Sequence, residues 1–349
     1  MHDYQELTRA CKDMQAQGEL YRPTSFWDAA SSRIVAELCT HGVERFRSLP
    51  TALGFFVPTY GILNCFSEEQ PKRLLEWLHC EFPQGKKPQL ALAQFLSGEM
   101  SALADYRVLL AADDPCKLPH LHTFSESTIG EPIEQFEFNA RRFSRSSLNY
   151  LLGIASMKKH LDGDVPRVVM EIGGGFGTLG EILTAGGIDG LHYIDIDIPP
   201  TSFVAQHYLT ELLGKGCVST YVQTCNKASI EIRTLPQTTV LCSWQIERLQ
   251  GKVDLFVNFI SFQEMEPHIV KNYLEHVTRL GTRWVLLRNL REGAQLRKNN
   301  WVGVDKQIIG DDYLAMLPEY KLVERNVLPF GYQTVDGYHS ELLILRRKE

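Results

Sequence analysis

The spacing of hydrophobic residues divides the chain into two parts. Up to residue 143, hydrophobic positions recur mainly at the three- and four-residue intervals of amphipathic helices, without an internal repeat. Three helices are predicted there: one from residue 26 behind the capping Ser25, one over 69–82 behind Ser67, and one within 90–112. The aromatic stretch 52–61, ALGFFVPTYG, contains proline and glycine and predicts a loop, which either packs on the core or forms a lid over a pocket.

Beyond residue 143, short apolar runs alternate with helical patterns. Ser144 or Ser146 is expected to cap a helix that leads into the first run, and the preceding stretch 113–149 is expected to fold over a ligand site. The apolar runs predict seven strands, at 168–172, 191–198, 238–244, 253–262, 283–289, 321–328 and 338–348. Alternating strands and helices favour an α/β fold with a mostly parallel sheet, and the short link 329–337 makes the last strand antiparallel.

The first run continues into a glycine-rich loop and a helix, over residues 168–183. Two ligand motifs fit: G-x-G-x-x-G at Gly175, Gly177 and Gly180, and acid-x-G-x-G-x-G at Glu171, Gly173, Gly175 and Gly177. A carboxylate beside the loop repels a pyrophosphate but attracts a cationic ligand such as the sulfonium and ammonium of S-adenosylmethionine. The second motif is therefore favoured over a nicotinamide dinucleotide, and a tight turn without a ligand is the remaining interpretation.

Two carboxylates follow at the end of the second predicted strand. Asp195 and Asp197 lie about twenty residues beyond the glycines, where a nucleoside-binding α/β fold holds ribose hydroxyls. Asp197 is the first choice because it is nearer the strand tip. The alternative for Asp195 is that it only interacts with solvent at the end of the strand.

With these motifs in place, the sequence resembles the S-adenosylmethionine-dependent class I methyltransferases, and more narrowly a bacterial group of sugar O-methyltransferases. The resemblance extends from about residue 40 to the C-terminus and rests on four stretches: GEPIEQFEFNARRFSRSSLNYL at 130–151, EIGGGFG at 171–177, YIDIDIP at 193–199 and VDLFVNFISFQEM at 253–265. One departure is Pro200, which stands where the group usually carries a glutamate.

The resemblance implies a Rossmann-like methyltransferase fold, with a mostly parallel seven-stranded sheet and an antiparallel last strand. It divides the chain into a mainly helical unit at 1–143, for acceptor binding, a lid or oligomerisation, and a donor-binding unit at 144–349. The expected function is transfer of a methyl group from S-adenosylmethionine to a hydroxyl of a sugar or glycosylated small molecule, such as a natural product.

Further donor contacts are expected at strand ends and on the helix before the first strand. In the resembled class, that helix contributes to the donor site, which makes Arg145 and Tyr150 candidates. Ser243 and Trp244, at the end of the third strand, are expected near the adenine. Asn258 opens a polar cluster, with Ser261, Gln263 and Glu264, at the end of the fourth strand, where α/β sheets bind ligands.

Methylation of a hydroxyl usually needs a general base. Glu264 and His268 are the bases near the fourth strand, and His339 begins the seventh strand at the same edge of the sheet. Neutral histidine suits pH 7, whereas a carboxylate would need burial to raise its pKa. The expected catalytic candidates are therefore His339, His268 and Glu264.

Composition narrows the function classes. Lys and Arg number 36 against 42 Asp and Glu, giving a net charge of −6 without a basic run, which disfavours a nucleic-acid partner. The eight cysteines form no C-x-x-C pair and are interpreted as reduced thiols of a cytoplasmic protein. No signal-peptide pattern or long apolar span indicates export or a membrane, and a homo-oligomer is compatible with the sequence.

Some sugar O-methyltransferases use a divalent cation, which oxygen ligands would bind. The candidates are Asp195, Glu264, Glu266, Asp311 and Asp312, whose spacing defines no metal site. Two functions from other classes stay open: a nicotinamide-dependent oxidoreductase, through the G-x-G-x-x-G motif, and a non-catalytic nucleotide-binding scaffold.

Overall fold

A computed structural model of the chain describes residues 4–24, 26–61, 73, 76, 77, 80, 81, 86–161, 163–297, 303–334 and 337–349. The predicted cap Ser25 lies outside the described residues. So do Ser67 and most of the predicted helix over 69–82.

The described strands form one large sheet and two small pairs. They are β1 (Phe136–Phe138), β2 (Arg141–Phe143), β3 (Val168–Ile172), β4 (His192–Asp197), β5 (Val218–Ser219), β6 (Ile230–Glu231), β7 (Thr238–Cys242), β8 (Leu249–Gln250), β9 (Leu255–Phe259), β10 (Trp284–Leu290), β11 (Tyr320–Asn326), β12 (Tyr332–Gln333) and β13 (His339–Arg347). In the large sheet the order is β11-β13-β10-β9-β3-β4-β7-β5, and β12 pairs with β13.

Pairing within this sheet is mostly parallel. β10, β9, β3, β4 and β7 are parallel neighbours, while β13 runs antiparallel between β10 and β11. The predicted α/β fold, with its antiparallel last strand, is thus confirmed. The two-residue strands β5 and β12 bring the seven predicted strands to nine in the described sheet.

The described α-helices are α1 (Gln5–Gln15), α2 (Asp28–His41), α3 (Pro50–Phe55), α4 (Lys86–Leu96), α5 (Glu99–Ala112), α6 (Arg145–Lys158), α7 (Thr178–Ala185), α8 (Thr201–Leu213), α9 (Tyr221–Thr224), α10 (Pro267–Arg279) and α11 (Gly310–Met316). Local sequence explains several of their ends. Ser144 caps α6 through a reciprocal capping box with Ser147, proline occupies the first turn of α10, and Gly214 follows α8.

Two predicted boundaries in the N-terminal half were wrong. The helical spacing within 90–112 belongs to two helices, because Gly98 between them has φ +82°, which interrupts a right-handed helix. The predicted loop 52–61 begins inside α3, where Pro50 occupies the first turn, and only the residues after Phe55 form the loop.

Hydrophobic side chains form a core on each face of the large sheet. The first core is built from α2, α5, α6, α7 and α8, and the second from α10 and α11. The N-terminal segment contributes to both, since Leu7 and Ile34 lie in the first core and Met14 and Tyr21 in the second. The predicted units 1–143 and 144–349 thus share their cores, and the boundary between them stays a prediction.

A buried ion pair ties the N-terminal half to the start of α6. Arg47 donates to Glu126 at 2.7 Å, and the two side chains are 1% and 0% exposed. Ser144 and Ser147 also donate to Glu126, at 2.8 and 3.1 Å. Removal of one partner would leave the other charge buried without compensation.

We expect Glu126→Ala to lower the free energy of unfolding by about 3–5 kcal/mol, because Arg47 and both serines lose their acceptor. Denaturant unfolding measures the effect. The matched control is Glu131→Ala, which removes the exposed ion pair with Arg45 and should cost less than about 1 kcal/mol. Equal effects of the two substitutions would contradict the assigned role of the buried pair.

Candidate active site

The carboxyl ends of β3, β4 and β9 open into a cavity. This is the point where the strand order reverses, since β4 and β9 lie on opposite sides of β3, and such points bind ligands in open α/β sheets. The cavity encloses about 1090 Å³, including space open to solvent. Its floor contains Gly173, Gly174 and Gly175 and the strand ends beside them.

The glycine loop turns its amides inward. Gly173 and Gly175 have φ values of +72° and +64°, which favour glycine. The N–H of Gly173 donates to the Ile196 carbonyl at 2.8 Å, that of Gly175 to the Asp197 carboxylate at 3.1 Å, and that of Gly177 to the Gly174 carbonyl at 3.1 Å. These three amides are thereby withdrawn from a pyrophosphate, which disfavours the dinucleotide interpretation.

Asp197 lies at the edge of the cavity in a fixed orientation. Its Oδ2 accepts from Gly175, and its Oδ1 accepts from the N–H of Ile198 at 2.7 Å. Asp197 and Ile198 both line the cavity. Burial raises the pKa of Asp197 to about 7, although both hydrogen bonds lower it.

Glu171 and Asp195 lie beneath the loop and do not belong to the cavity lining. Glu171 is fully buried and accepts hydrogen bonds from Tyr150 at 2.5 Å and Tyr193 at 2.6 Å. Tyr150 itself lines the cavity, so Glu171 reaches the site through this tyrosine. The expected contact of Glu171 with the donor stays a prediction.

Asp195 is buried next to Glu171; among the described residues no side chain donates to its carboxylate, and the amides of Gly174 and Ile196 lower its pKa. A Cβ on Gly174 would lie 2.5 Å from Oδ1 of Asp195 and 2.8 Å from Oε2 of Glu171, so the two carboxyl groups meet under the loop. Burial raises the pKa of Glu171 to about 7 and that of Asp195 well above its ordinary value, with repulsion between the acids adding to the latter.

Of the other residues predicted to bind the methyl donor, one lines the cavity and two do not. Ser243 lines the cavity and donates to the Tyr21 carbonyl at 3.1 Å. Trp244 lies outside the lining, because the turn after β7 directs its indole against Tyr221, with ring centroids 5.8 Å apart. Asn258 also lies behind the lining, where its amide donates to the Ile172 carbonyl at 2.8 Å and ties β9 to β3.

Glu264 is the candidate base that the structure brings to the cavity. It is 8% exposed, lines the cavity and accepts a hydrogen bond from Nε1 of Trp27 at 2.9 Å. Burial raises its pKa to about 8, the charge of Asp197 adds to this, and the hydrogen bond from Trp27 lowers it. A carboxyl group with this pKa ionises near pH 8, and its ionised form can accept a proton.

The two histidines lie away from the cavity lining. His268 is 55% exposed in the first turn of α10, with Nε2 3.8 Å from Glu19. His339 lies at the expected edge of the sheet, but β13 is separated from β3 by β10 and β9. Its Nδ1 lies 2.6 Å from Glu292, and neither histidine is in the lining.

Aromatic residues from the N-terminal half cover the cavity. Trp27 packs against Phe55 at the end of α3, and Phe56 and Pro58 follow that helix. The sequence left core packing and a lid open for 52–61, and the contribution of Trp27 was missed, because this residue was interpreted only as part of a helix. The expected cover from 113–149 is limited to Ser146 and Asn149 of α6 among the described lining residues.

The proposed metal ligands do not converge. The described residues contain no group of three or more histidine, cysteine or acidic side chains placed to hold a metal ion. Asp311 instead forms an ion pair with Arg325 at 2.7 Å. No helix among the described residues is long and apolar enough to cross a membrane.

We expect the free energy of unfolding of the ligand-free protein to fall as pH rises from about 5 to about 7. In that range folded Glu171 and Asp197 retain protons, with pKa values of about 7, whereas in the unfolded chain they have released them, so rising pH favours unfolding. Denaturant titrations at several pH values measure the slope. Asp195→Asn should make it shallower, because one desolvated acid is removed, and a stability that rises over this range would contradict the assignment.

Comparison with known proteins gives structural similarity alone. No family model matches the sequence, and no curated protein matches it. Among solved structures, the chain is similar to magnesium protoporphyrin IX methyltransferase (ChlM) from Synechocystis PCC 6803 with bound SAM, at 17% identity, covering 58% of this chain and 81% of that one, with a TM-score of 0.39.

Two further solved structures show similarity of the same extent. Burkholderia thailandensis 1,6-didemethyltoxoflavin-N1-methyltransferase with bound S-adenosylhomocysteine is 15% identical, with 58% and 79% coverage and a TM-score of 0.40. The N-terminal domain of EvdMO1 with bound SAH is 12% identical, with 62% and 92% coverage and a TM-score of 0.38. Because these values are low, the function proposed below rests on the strand order and the cavity.

Proposed function

We propose that the protein is an S-adenosylmethionine-dependent methyltransferase. The observation that carries the proposal is the carboxylate of Asp197, held by two backbone amides at the edge of the cavity at the switch point of the sheet. A carboxylate in this position accepts hydrogen bonds from a ribose diol. The buried acids Glu171 and Asp195 lie nearby and favour a ligand with cationic groups.

The cavity wall also suits the flat aromatic base of a nucleoside. Ile198 adjoins Asp197, and Ile269 and Tyr273 of α10 line the same cavity. Ser146 and Asn149 add polar groups from α6, on the helix that the family resemblance implicates in donor binding. These features support S-adenosylmethionine over a nicotinamide dinucleotide, whose pyrophosphate would compete with Asp197 for the loop amides.

The acceptor is proposed to be a hydroxyl of a sugar or glycosylated small molecule, on the basis of the family resemblance. Glu264 is proposed as the general base. The hydroxyl oxygen forms a bond to the donor methyl carbon as the bond from carbon to sulfur breaks, and the hydroxyl proton passes to Glu264. The products are a methyl ether and S-adenosylhomocysteine, and a neutral Glu264 then returns its proton to water.

The donor assignment is tested by calorimetric titration with S-adenosylmethionine, S-adenosylhomocysteine and NADH. We expect the first two to bind and NADH not to bind. Asp197→Ala should weaken donor binding by about 10- to 100-fold, because hydrogen bonds to a charged group are lost. A folded wild-type protein that binds NADH, or neither sulfur nucleoside, would contradict the proposed function.

The base assignment is tested with labelled S-adenosylmethionine and a panel of sugar and glycoside acceptors. Glu264→Gln should lower turnover by about 10²- to 10⁴-fold, because the proton acceptor is removed, while donor binding is retained. His268→Ala and His339→Ala are matched controls that should stay near the wild-type rate. Loss of turnover in either histidine variant, with normal turnover in Glu264→Gln, would reassign the base.

A further inference from the structure

The segment between α1 and α2 is attached to the donor-binding half at several points around the cavity. The Tyr21 hydroxyl lies 3.2 Å from both Nε2 of His276 and Nδ2 of Asn272, while the Tyr21 carbonyl accepts from Ser243. Thr24 donates through Oγ1 to the Glu264 carbonyl at 3.0 Å. These contacts fix the segment against β7 and α10.

Trp27 is the point where this segment contacts a candidate catalytic group. Its Nε1 donates to Oε2 of Glu264, and its ring packs against Phe55, with centroids 5.5 Å apart. Trp27, Phe55 and Glu264 all line the cavity. The indole is therefore held by aromatic packing on one side and bonded to the carboxyl group on the other.

We infer that Trp27 is a positioning residue, which fixes the orientation of the Glu264 carboxyl group for proton transfer from the acceptor. This inference rests on the proposed function and extends it to the N-terminal half of the chain. With Oε2 bonded to the indole, Oε1 is the oxygen left to accept the proton. The N–H also stabilises the ionised form of Glu264, which is the form that acts as a base.

Asp197, Arg22 and Tyr273 are titratable groups that share the cavity lining with Glu264. Asp197 at the end of β4 raises its pKa by repulsion. Arg22 from the segment and Tyr273 from α10 also line the cavity, the first donating to the Gln17 carbonyl and the second having a pKa raised by burial. Replacement of the indole N–H should thus change the titration of Glu264 while these neighbours stay in place.

Proton release on donor binding tests the inference without an identified acceptor. Calorimetric titration with S-adenosylmethionine, in buffers of different ionisation enthalpy across pH 6.5 to 9.5, reports how many protons leave the protein. In the wild type, the cationic donor should release a proton from Glu264, with a maximum between the pKa of about 8 in the free protein and the lower pKa in the complex. Glu264→Gln should lose this component and keep any release from Glu171 and Asp197.

Trp27→Phe keeps an aromatic ring but removes the N–H. We expect the maximum of proton release to move upward by about one pH unit, because the ionised form of Glu264 loses a hydrogen bond. Once an acceptor is known, kcat near pH 7 should fall about tenfold and partly recover at higher pH, with little change in KM for the donor. Trp244→Phe, which alters an indole outside the lining, should leave the profile unchanged.

The outcomes distinguish the inference from the proposed function. If Trp27→Phe binds the donor with the wild-type pH profile, the positioning role is overturned and the donor assignment stands. If folded wild-type protein does not bind S-adenosylmethionine, the proposed function itself fails. Should Trp27→Phe not fold, Phe55→Leu removes the aromatic ring that packs against the indole, and a shift of the profile supports the inference whereas an unchanged profile overturns it.

Discussion

The burial of carboxyl groups at the ends of β3 and β4 constrains the rest of the site. Three acids, Glu171, Asp195 and Asp197, lie next to one glycine loop in space, and burial penalises the charged form of each. Their environment compensates only in part: tyrosine hydroxyls donate to Glu171 and backbone amides donate to Asp197. A cationic ligand completes the compensation, which gives the site a physical preference for such ligands.

The same constraint explains the form of the loop. Its inward-facing amides donate hydrogen bonds to carbonyl groups and a carboxylate of the protein itself. The glycines therefore allow two backbone segments of the protein to approach each other closely. In a dinucleotide site, the corresponding amides face a phosphate. Two loops with nearly the same letters thus differ in the groups that their amides face, which here are backbone carbonyls and the carboxylate of Asp197.

The sequence predicted the sheet well because the determinants of a parallel sheet are local. The apolar runs, Ser144, Pro267 and Gly214 mark strands and helix ends within a few residues, and the structure has them as predicted. Strand order brought Asp197, Ser243 and Glu264 to one cavity, although only their positions at strand ends were visible beforehand.

The sequence did not predict the direction of individual side chains or the contacts between distant segments. Trp244 and Asn258 occupy the predicted strand ends but lie outside the cavity lining. Trp244 packs against Tyr221, and the amide of Asn258 donates to the Ile172 carbonyl at the end of β3. Trp27 gave no signal, since its partner lies 237 residues further along the chain. His339 reached the predicted edge, but its distance from β3 follows from the order of strands within the sheet.

That long separation affects how the molecule forms during synthesis. Contacts of the N-terminal segment with Glu264 and His276 span 237 to 255 residues, so Trp27 and Tyr21 leave the ribosome long before their partners exist. Such non-local contacts close late and slowly in folding. The nascent chain therefore carries its aromatic segment uncovered until α10 has emerged, and the cavity is completed only when the first and last thirds of the protein meet.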